Sequence, residues 1–407
     1  MTSTPGPHDP ANRPVTQLTD EQFRVDLRDW LAEHLVEEFA AHRGVGGPAD
    51  DTAWDVRLEW EKLLARDRWL NVSWPVEYGG RGAPATQELI FHIEHAAAGG
   101  PYWCGVQGRD LFGPTLLEFG TAEQKARFLP PIARVEELWG QGFSEPEAGS
   151  DLASLRTNAH LDGGDWVING QKIWMTFGGY ADWLYVLCRT DAEVAKHRGI
   201  SMLLVPVDQA GVDVRPIRNM AGGREFAEVF LTDARTASGN VVGAVNGGWG
   251  VVMSTLGNER GGATVLPFQA AFEREIRQLI EIARERGLTA HPLVRQKLAR
   301  AWGGLRIMQL NNERLLQRVL RGGHPGPESS INKLYWANWH RDAGELMVEL
   351  LGADAMANGL GAAGAGYELH PMQHTFLNSR AETIYGGANE IQRNIVGERV
   401  LGLPKGP

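Results

Sequence analysis

The chain has 407 residues, 43% of them hydrophobic, and a formal net charge of −10 at pH 7. A chain of this length and composition can bury a large core and is expected to form two or three domains or layers. The negative charge argues against general nucleic-acid binding, which requires a basic surface. Two cysteines, Cys104 and Cys188, are too few for a disulfide framework or a four-thiolate metal site.

The first part of the chain is predicted to be a flexible tail followed by a helical domain. Residues 1–18 lack the basic stretch and apolar core of a signal peptide. Residues 19–135 show helical spacing, with Asp20 as a possible cap of the first helix and Thr121 as the cap of a later one. No apolar run approaches the roughly 20 residues of a membrane span. The two cysteines, far apart in sequence, fit a reducing cytoplasm, so we expect a cytoplasmic protein.

The middle of the chain, residues 136–243, is predicted to form a β domain. Short runs rich in β-branched and aromatic residues are separated by Gly, Asn and Asp. Several strands at close spacing without intervening helices indicate an antiparallel barrel or sandwich.

Residues 244–407 are predicted to form a C-terminal helical domain. The candidate helices cover about 250–286, 292–320, 329–351 and 382–400. A glycine-rich stretch at 359–366 is predicted to be a mobile loop.

Two adjacent motifs in the middle domain indicate a binding site. Residues 142–151 (Gly-Phe-Ser-Glu-Pro-Glu-Ala-Gly-Ser-Asp) form a small-residue turn whose backbone N–H groups could approach a flat or anionic ligand. In residues 169–176 (Asn-Gly-Gln-Lys-Ile-Trp-Met-Thr), Asn169 and Gly170 predict a hairpin corner before a strand. Trp174 and Thr176 would then point to one face. A polar turn beside a core tryptophan is the alternative interpretation.

These two motifs resemble the flavin-binding signature of the acyl-CoA dehydrogenase family, T/S-E-P-x-A-G-S-D followed by G-x-K-x-W-x-T. Residues 384–393 (Ile-Tyr-Gly-Gly-Ala-Asn-Glu-Ile-Gln-Arg) resemble the family's C-terminal segment. Three motifs in the family's order are specific, whereas any one alone would not be. The resemblance implies an α+β fold with an N-terminal helical domain, a middle β-barrel or sandwich and a C-terminal helical bundle.

The resemblance also implies FAD as cofactor, with the flavin performing the redox chemistry. Ser144 and Thr176 would bond the isoalloxazine edge, Trp174 would pack against the flavin, and Ser150 would bond near the pyrophosphate or ribityl chain. The other positions that it assigns to the cofactor are Phe143, Gly149, Ala388 and Glu390. The alternative is that Trp174 is a core residue, which is the more common position of a tryptophan in a strand.

The family's catalytic base is displaced in this sequence. Gly386 stands where many members carry a glutamate after the tyrosine, here Tyr385, and its backbone N–H could still polarise the thioester carbonyl. The family's second location for the base matches Glu259, while an ordinary solvated or Arg260-paired glutamate is the alternative. By resemblance, Arg260 and Tyr385 would contact the substrate.

Other departures from the family's motifs leave open how the adenine half of FAD is bound. Residues 284–289 lack the Phe-Gly of the family's R-x-x-F-G motif. Residues 349–355 keep only one glycine of its Q-x-x-G-G-x-G motif, and Ala388 replaces the usual threonine. Five histidines, read as surface or packing residues, show no metal spacing: His8, His291, His340, His370 and His374. No G-x-G-x-x-G follows a strand, so NAD binding is not indicated.

The resemblance therefore predicts α,β-dehydrogenation of an acyl-CoA, with a branched, long or bulky acyl group, and electron transfer to an electron-transfer flavoprotein. A homo-oligomer, dimer or tetramer, is expected, and a hetero-oligomer is the alternative assembly. Two other functions stay open: a flavin-dependent oxygenase relative in secondary metabolism, or a mainly structural partner subunit that binds flavin poorly.

Overall fold

The computed structural model describes residues 15–47, 50–259, 262–321, 323, 326–357 and 369–405. The chain divides into two compact units, the first Met1–Ile217 with Arg224–Glu259 and the second Arg218–Gly223 with Arg260–Pro407. Helices come first in the chain, a β-sheet follows, and helices return. This order confirms the predicted fold class.

Six helices, α1 to α6, precede the sheet within the described residues. They span Asp20–His34, Glu37–Ala41, Trp54–Arg66, Ala85–Ala98, Gly113–Phe119 and Ala122–Ala133, and a π-helix, Gln107–Phe112, precedes α5. A capping box starts α1, because the Thr19 hydroxyl accepts from the N–H of Gln22 and the Gln22 side chain accepts from the N–H of Thr19. The predicted cap at Asp20 is therefore wrong by one residue, whereas the predicted cap at Thr121 is confirmed.

The middle of the chain forms one mixed sheet. Strands β1 to β8 span Trp139–Gly142, Asn158–Asp162, Asp165–Thr176, Trp183–Arg189, Ile200–Pro206, Val212–Ile217, Phe226–Ala237 and Val241–Val242. The strand order is β6-β7-β3-β2-β4-β5-β8, and β1 pairs with β4 in parallel. Most of the pairing is antiparallel, and a long pair joins β7 to β3, the strand that contains residues 169–176.

Both faces of the central strands are covered by apolar groups. In β4, Leu184 and Val186 belong to a cluster with β3 and β7, while Tyr185 and Leu187 belong to another with α5, α6 and β1. Successive strand residues point to opposite faces, so the continuous apolar run of β4 fits burial on both sides.

Strand β3 runs straight through the predicted hairpin corner. The turn between β2 and β3 lies instead at 163–164, where Gly163 has φ +65°. At Asn169 the register between β3 and β7 shifts, and the Asn169 side chain bonds both the backbone N–H and the carboxylate of Asp233. The predicted corner at Asn169 and Gly170 is therefore wrong, because β3 continues there and the extra residue of a β-bulge lies on β7, opposite Asn169.

The first unit ends with α7, Gly248–Glu259. The second unit contains α8 to α12, which span Gly262–Glu285, Pro292–Leu320, Ser329–Leu351, Pro371–Glu382 and Asn389–Ile395, and a π-helix, Val396–Val400, follows. The sequence missed α11. The predicted single helix over 382–400 is wrong, because α11 ends at Glu382 and Gly386 and Gly387 have φ of +62° and +91°.

Within the described parts of the chain, no helix combines the length and apolar character that a membrane crossing requires. The predicted mobile loop at 359–366 and most of the predicted tail lie outside the described residues.

Candidate functional site

The turn at 142–151 lies directly against strand β3. The N–H of Ile173 donates to the carbonyl of Ser144 at 3.0 Å. Within the turn, Glu145 and Ala148 exchange backbone hydrogen bonds of 3.1 and 3.0 Å. The structure therefore brings together the two motifs that the sequence singled out.

A buried ion pair joins the two motifs. The Lys172 ammonium lies 2.8 Å from Glu145 Oε1 and donates to the carbonyl of Phe143 at 3.1 Å. Glu145 also accepts from the backbone N–H groups of Arg156 and Thr157 at 2.7 and 2.9 Å. Burial alone would raise the pKa of Glu145, but Lys172 and these donors outweigh it and hold that pKa below its usual value. The carboxylate is therefore ionised and fixes the turn.

Trp174 projects away from the sheet core. Its side chain is 58% exposed and its φ is +60°, and the register between β3 and β7 shifts between Lys172 and Met175. Met175 is fully buried, whereas Thr176 is only half-buried. Trp174 and Thr176 thus lie on the side away from the core. The alternative interpretation of Trp174 as a core tryptophan is wrong.

Several polar groups of the two motifs are available to a ligand. Among the described residues, none bonds the hydroxyls of Ser144, Ser150 or Thr176, or the indole N–H of Trp174. A Cβ added at Gly149 would meet nothing within 4 Å, so the turn is open there. An exposed indole with free hydroxyls on the same sheet region suits a flat heteroaromatic ligand that carries hydrogen-bond acceptors.

The side chain of Phe143 is buried in the core. Its ring is 5% exposed and packs edge-on against Tyr185, with centroids 5.6 Å apart. The Tyr185 hydroxyl in turn donates to the Gln107 side chain at 3.1 Å. The predicted contact of Phe143 with a cofactor can therefore involve its backbone, while its side chain belongs to the core.

The C-terminal motif forms a loop in the second unit. Tyr385, Gly386 and Ala388 are half-buried within residues 383–388, and α12 begins directly afterwards. Ala388 stands at the N-cap position of α12, where its methyl group supplies no side-chain cap. Glu390 is exposed and pairs with Arg393 at 3.2 Å.

The sequence missed a buried histidine beside this loop. His340 Nδ1 lies 2.7 Å from Glu382 Oε2, and its Nε2 lies 2.7 Å from Glu275 Oε2. Burial alone would lower the pKa of His340, but the two carboxylates outweigh it and raise that pKa to about 10. The three residues are 42 and 65 positions apart, so no local signal predicted the cluster. Among the described residues, no group of three or more His, Cys, Asp or Glu side chains is arranged to hold a metal ion.

The predicted base lies at the end of α7. This helix ends at Glu259 and is tied to α5 by a bond of 3.0 Å between the hydroxyls of Thr255 and Thr115. The Glu259 side chain and all of Arg260 lie outside the described residues. The roles of both residues stay predictions.

Three domain families match the chain in order. They are the acyl-CoA dehydrogenase N-terminal domain at residues 18–136, the middle domain at 140–234 and the C-terminal domain at 246–401. The acyl-CoA dehydrogenase IpdE1 of Mycobacterium tuberculosis is 46% identical over 386 residues, which cover 95% of this chain and 98% of that protein.

Solved structures are similar to this chain over nearly its whole length. The Tcur3481–Tcur3483 steroid ACAD superposes with a TM-score of 0.79 at 30% identity, covering 97% of this chain and 100% of that one. The ChsE4–ChsE5 complex from Mycobacterium tuberculosis superposes with a TM-score of 0.77 at 32% identity, covering all of both chains.

Proposed function

The chain belongs to the acyl-CoA dehydrogenase family, and we propose on this basis that it binds FAD and oxidises an acyl-CoA to the trans-2-enoyl-CoA. The three domain matches and the 46% identity to an acyl-CoA dehydrogenase confirm the resemblance that the motifs indicated. Members of the family are FAD-dependent oxidoreductases, so the prediction of an oxidoreductase is confirmed at that level.

The single observation that carries FAD binding is the exposed Trp174 beside unpartnered hydroxyls on a rigidly anchored turn. Trp174 is 58% exposed, so its indole face is accessible to a flat ring that could stack on it. The buried Glu145–Lys172 pair holds the turn in place before any ligand binds, so little ordering cost remains for binding. The donor set fits the edge of an isoalloxazine ring.

Ser144 and Thr176 would donate to the flavin edge, Trp174 would cover a ring face, and Ser150 with Gly149 would face the phosphate-bearing chain. When bound, FAD supplies the acceptor for the substrate's β-hydride. The residues around it exclude water and set the position of the ring. Ala388 and Glu390 are the assigned contacts in the second unit, although Ala388 offers no side-chain hydrogen bond.

Glu259 would take the α-proton, because Gly386 removes the carboxylate beside Tyr385. The Gly386 N–H would donate to the thioester carbonyl as negative charge develops there. Arg260 and Tyr385 would contact the substrate. A carboxylate facing an apolar acyl group is desolvated, which raises its pKa and strengthens it as a base.

The names of the relatives support a bulky acyl group. One superposed structure is named a steroid ACAD, and it shares 30% identity over nearly the whole chain. These names support a branched or polycyclic acyl-CoA as the substrate class. From the family resemblance alone, we also propose an electron-transfer flavoprotein as the electron acceptor and a cytoplasmic location. The ChsE4–ChsE5 relative is a complex of two named chains, which supports a hetero-oligomer as an alternative to the homodimer or homotetramer.

The proposed function is tested by measuring bound flavin and activity on acyl-CoA thioesters. The purified protein should be yellow, and it should reduce an artificial electron acceptor when mixed with one of a panel of bulky acyl-CoA thioesters. A protein that gains no flavin absorbance on mixing with FAD would contradict the cofactor assignment. A flavin-loaded protein that is inactive alone and active only with a second chain would instead identify it as one subunit of a hetero-oligomer.

A further inference from the structure

One buried lysine joins the two ends of the loop that carries Gly386. Lys333 on α10 is 6% exposed, and its ammonium donates to the carbonyl of Glu382 at 2.7 Å and to the carbonyl of Gly387 at 2.9 Å. Glu382 is the last residue of α11, and Gly387 is the second residue after Tyr385. A single cation therefore joins the end of a helix to the far side of the turn that follows it.

A second set of donors holds the same turn from α12. Gln392 Nε2 donates to the carbonyls of Gly386 and Gly387 at 3.0 and 3.2 Å, and the N–H of Asn389 donates to the carbonyl of Thr383 at 3.1 Å. Because each peptide unit is planar, fixing the carbonyls of Gly386 and Gly387 also fixes the N–H groups of Gly387 and Ala388. The N–H of Gly386 lies between these fixed units and the carbonyls of Glu382 and Thr383, which are also fixed. The conformation around Gly386 is therefore determined from two sides.

Two adjacent glycines would otherwise leave this turn with large conformational freedom. Gly386 and Gly387 both adopt the left-handed region, and glycine loses more conformational entropy on ordering than other residues. Hydrogen bonds from a charged donor are stronger than bonds between neutral groups. Lys333 thus supplies the strongest of the bonds that order the turn.

The position of Lys333 is not explained by packing alone. A methionine would fill similar space, but it would leave the carbonyls of Glu382 and Gly387 without their charged donor. Seven residues further along α10, His340 bonds the Glu382 carboxylate, so α10 holds both the main chain and the side chain of the residue where the loop starts. Both contacts act on the loop.

We infer that Lys333 is a positioning residue for the substrate-facing N–H of Gly386, acting by closing residues 382–387 into a fixed loop. This inference rests on the function proposed above, which gives Gly386 its role. Lys333 itself touches no reacting atom.

The experiment compares Lys333→Met and Lys333→Gln with Lys297→Met in the flavin-loaded protein. Lys297 on α9 forms an ion pair with Glu349 in which both side chains are about half exposed, so it matches the change without touching the loop. Two quantities are measured: amide hydrogen exchange of peptides covering 383–391, and kcat and KM with an accepted acyl-CoA.

Lys333→Met should accelerate exchange in 383–391 about tenfold or more and lower kcat about tenfold or more. Its KM should change less than about threefold, because a hydrogen bond to the carbonyl oxygen matters most when charge develops in the transition state. Lys333→Gln, which keeps a shorter neutral donor, should fall between Lys333→Met and the wild type in both measurements. Lys297→Met should leave exchange in 383–391 and kcat unchanged.

Unchanged exchange in 383–391, or a raised KM with unchanged kcat, would overturn the inference. If Lys333→Met does not fold, Lys333→Gln decides it by the same two measurements. A wild-type protein that holds flavin but oxidises no acyl-CoA, either alone or with a second chain, would refute the proposed function. The exchange measurement would still decide whether Lys333 closes the loop.

Discussion

Lys172 Nζ and Glu145 Oε1 lie 2.8 Å apart in the interior of the first unit and tie strand β3 to the turn that precedes it. Their side chains are 1% and 7% exposed. Glu145 belongs to the motif at 142–151 and Lys172 to the motif at 169–176, so the ion pair connects the two motifs in space. The turn that holds Ser144 depends on it.

We expect Lys172→Met to destabilise the protein by about 3–5 kcal/mol, because it leaves the Glu145 carboxylate buried without its partner. Urea denaturation followed by circular dichroism measures this change, and flavin absorbance should fall with it. Lys62→Met removes an exposed pair with Glu59 and should cost about 1 kcal/mol or less. A Lys172→Met protein as stable as the control would show that the pair does not anchor the turn.

Trp174→Gly should separate cofactor binding from stability. Because the indole is 58% exposed and φ is +60°, glycine loses little buried area and adopts the backbone more easily. The free energy of unfolding of the FAD-free protein should stay within about 1 kcal/mol of the wild type. FAD affinity, measured by fluorescence titration, should fall at least about tenfold.

The matched control is Asp233→Gly, which replaces another exposed left-handed residue, at φ +51° on the neighbouring strand β7. Its FAD affinity should equal that of the wild type. Equal affinities for all three proteins would contradict the assignment of Trp174 to the flavin.

The fold class was predictable because helical and strand periodicities change sharply near residues 136 and 243. The capping box at Thr121 was predictable for a related reason, since both of its residues lie within one turn of helix. The corner at Asn169 and Gly170 was wrong because Asn-Gly is typical of a hairpin turn but also occurs in a strand opposite a β-bulge. Only the partner, Asp233 in the bulge of β7, distinguishes the two cases.

The prediction of a single terminal helix over 382–400 was wrong for a different reason. The polar and apolar residues around 382–400 fit one helix, but the buried cation Lys333 stabilises a turn at Gly386 and Gly387 that periodicity does not reveal. His340 was read as a surface or packing residue because its two carboxylates come from helices distant in sequence. Contacts between distant residues decide both cases.

The pH dependence of stability should report on His340. Its pKa is raised to about 10 in the folded protein, against a usual value near 6.5, so the folded state binds the proton more tightly. The resulting stabilisation is fully present below about pH 6.5 and is lost as pH rises towards 10. From one proton, the slope between these values is at most about 1.4 kcal/mol per pH unit.

Denaturation of the wild type and of His340→Gln across this range measures the effect. The difference in stability between the two should shrink as pH rises, while His291→Gln, at an exposed position, should follow the wild type throughout. A constant difference between the wild type and His340→Gln would show that His340 does not carry a proton in the folded state.

The last prediction concerns the base. Gly386 removes the usual carboxylate, and Glu259 stands at the family's other location, at the end of α7. Removing a general base typically lowers the rate about 10²–10⁴-fold, so Glu259→Gln should lower turnover by this order and leave FAD bound. Gly386→Glu should not raise activity, because two carboxylates in one site keep one of them protonated.

Stopped-flow reduction of the flavin by an accepted acyl-CoA measures the step directly, and Glu281→Gln is the control, since Glu281 is exposed and pairs with Arg284 on α8. Near-normal flavin reduction in Glu259→Gln would refute the assignment. Two glutamates near Tyr385 would then be the candidates. Glu382 is engaged by His340 and would have to leave it, whereas Glu390 is exposed and pairs only with Arg393 in the described residues. A carboxylate that must break a buried ion pair before it accepts a proton is a poor base, so Glu259 is the best supported of the three.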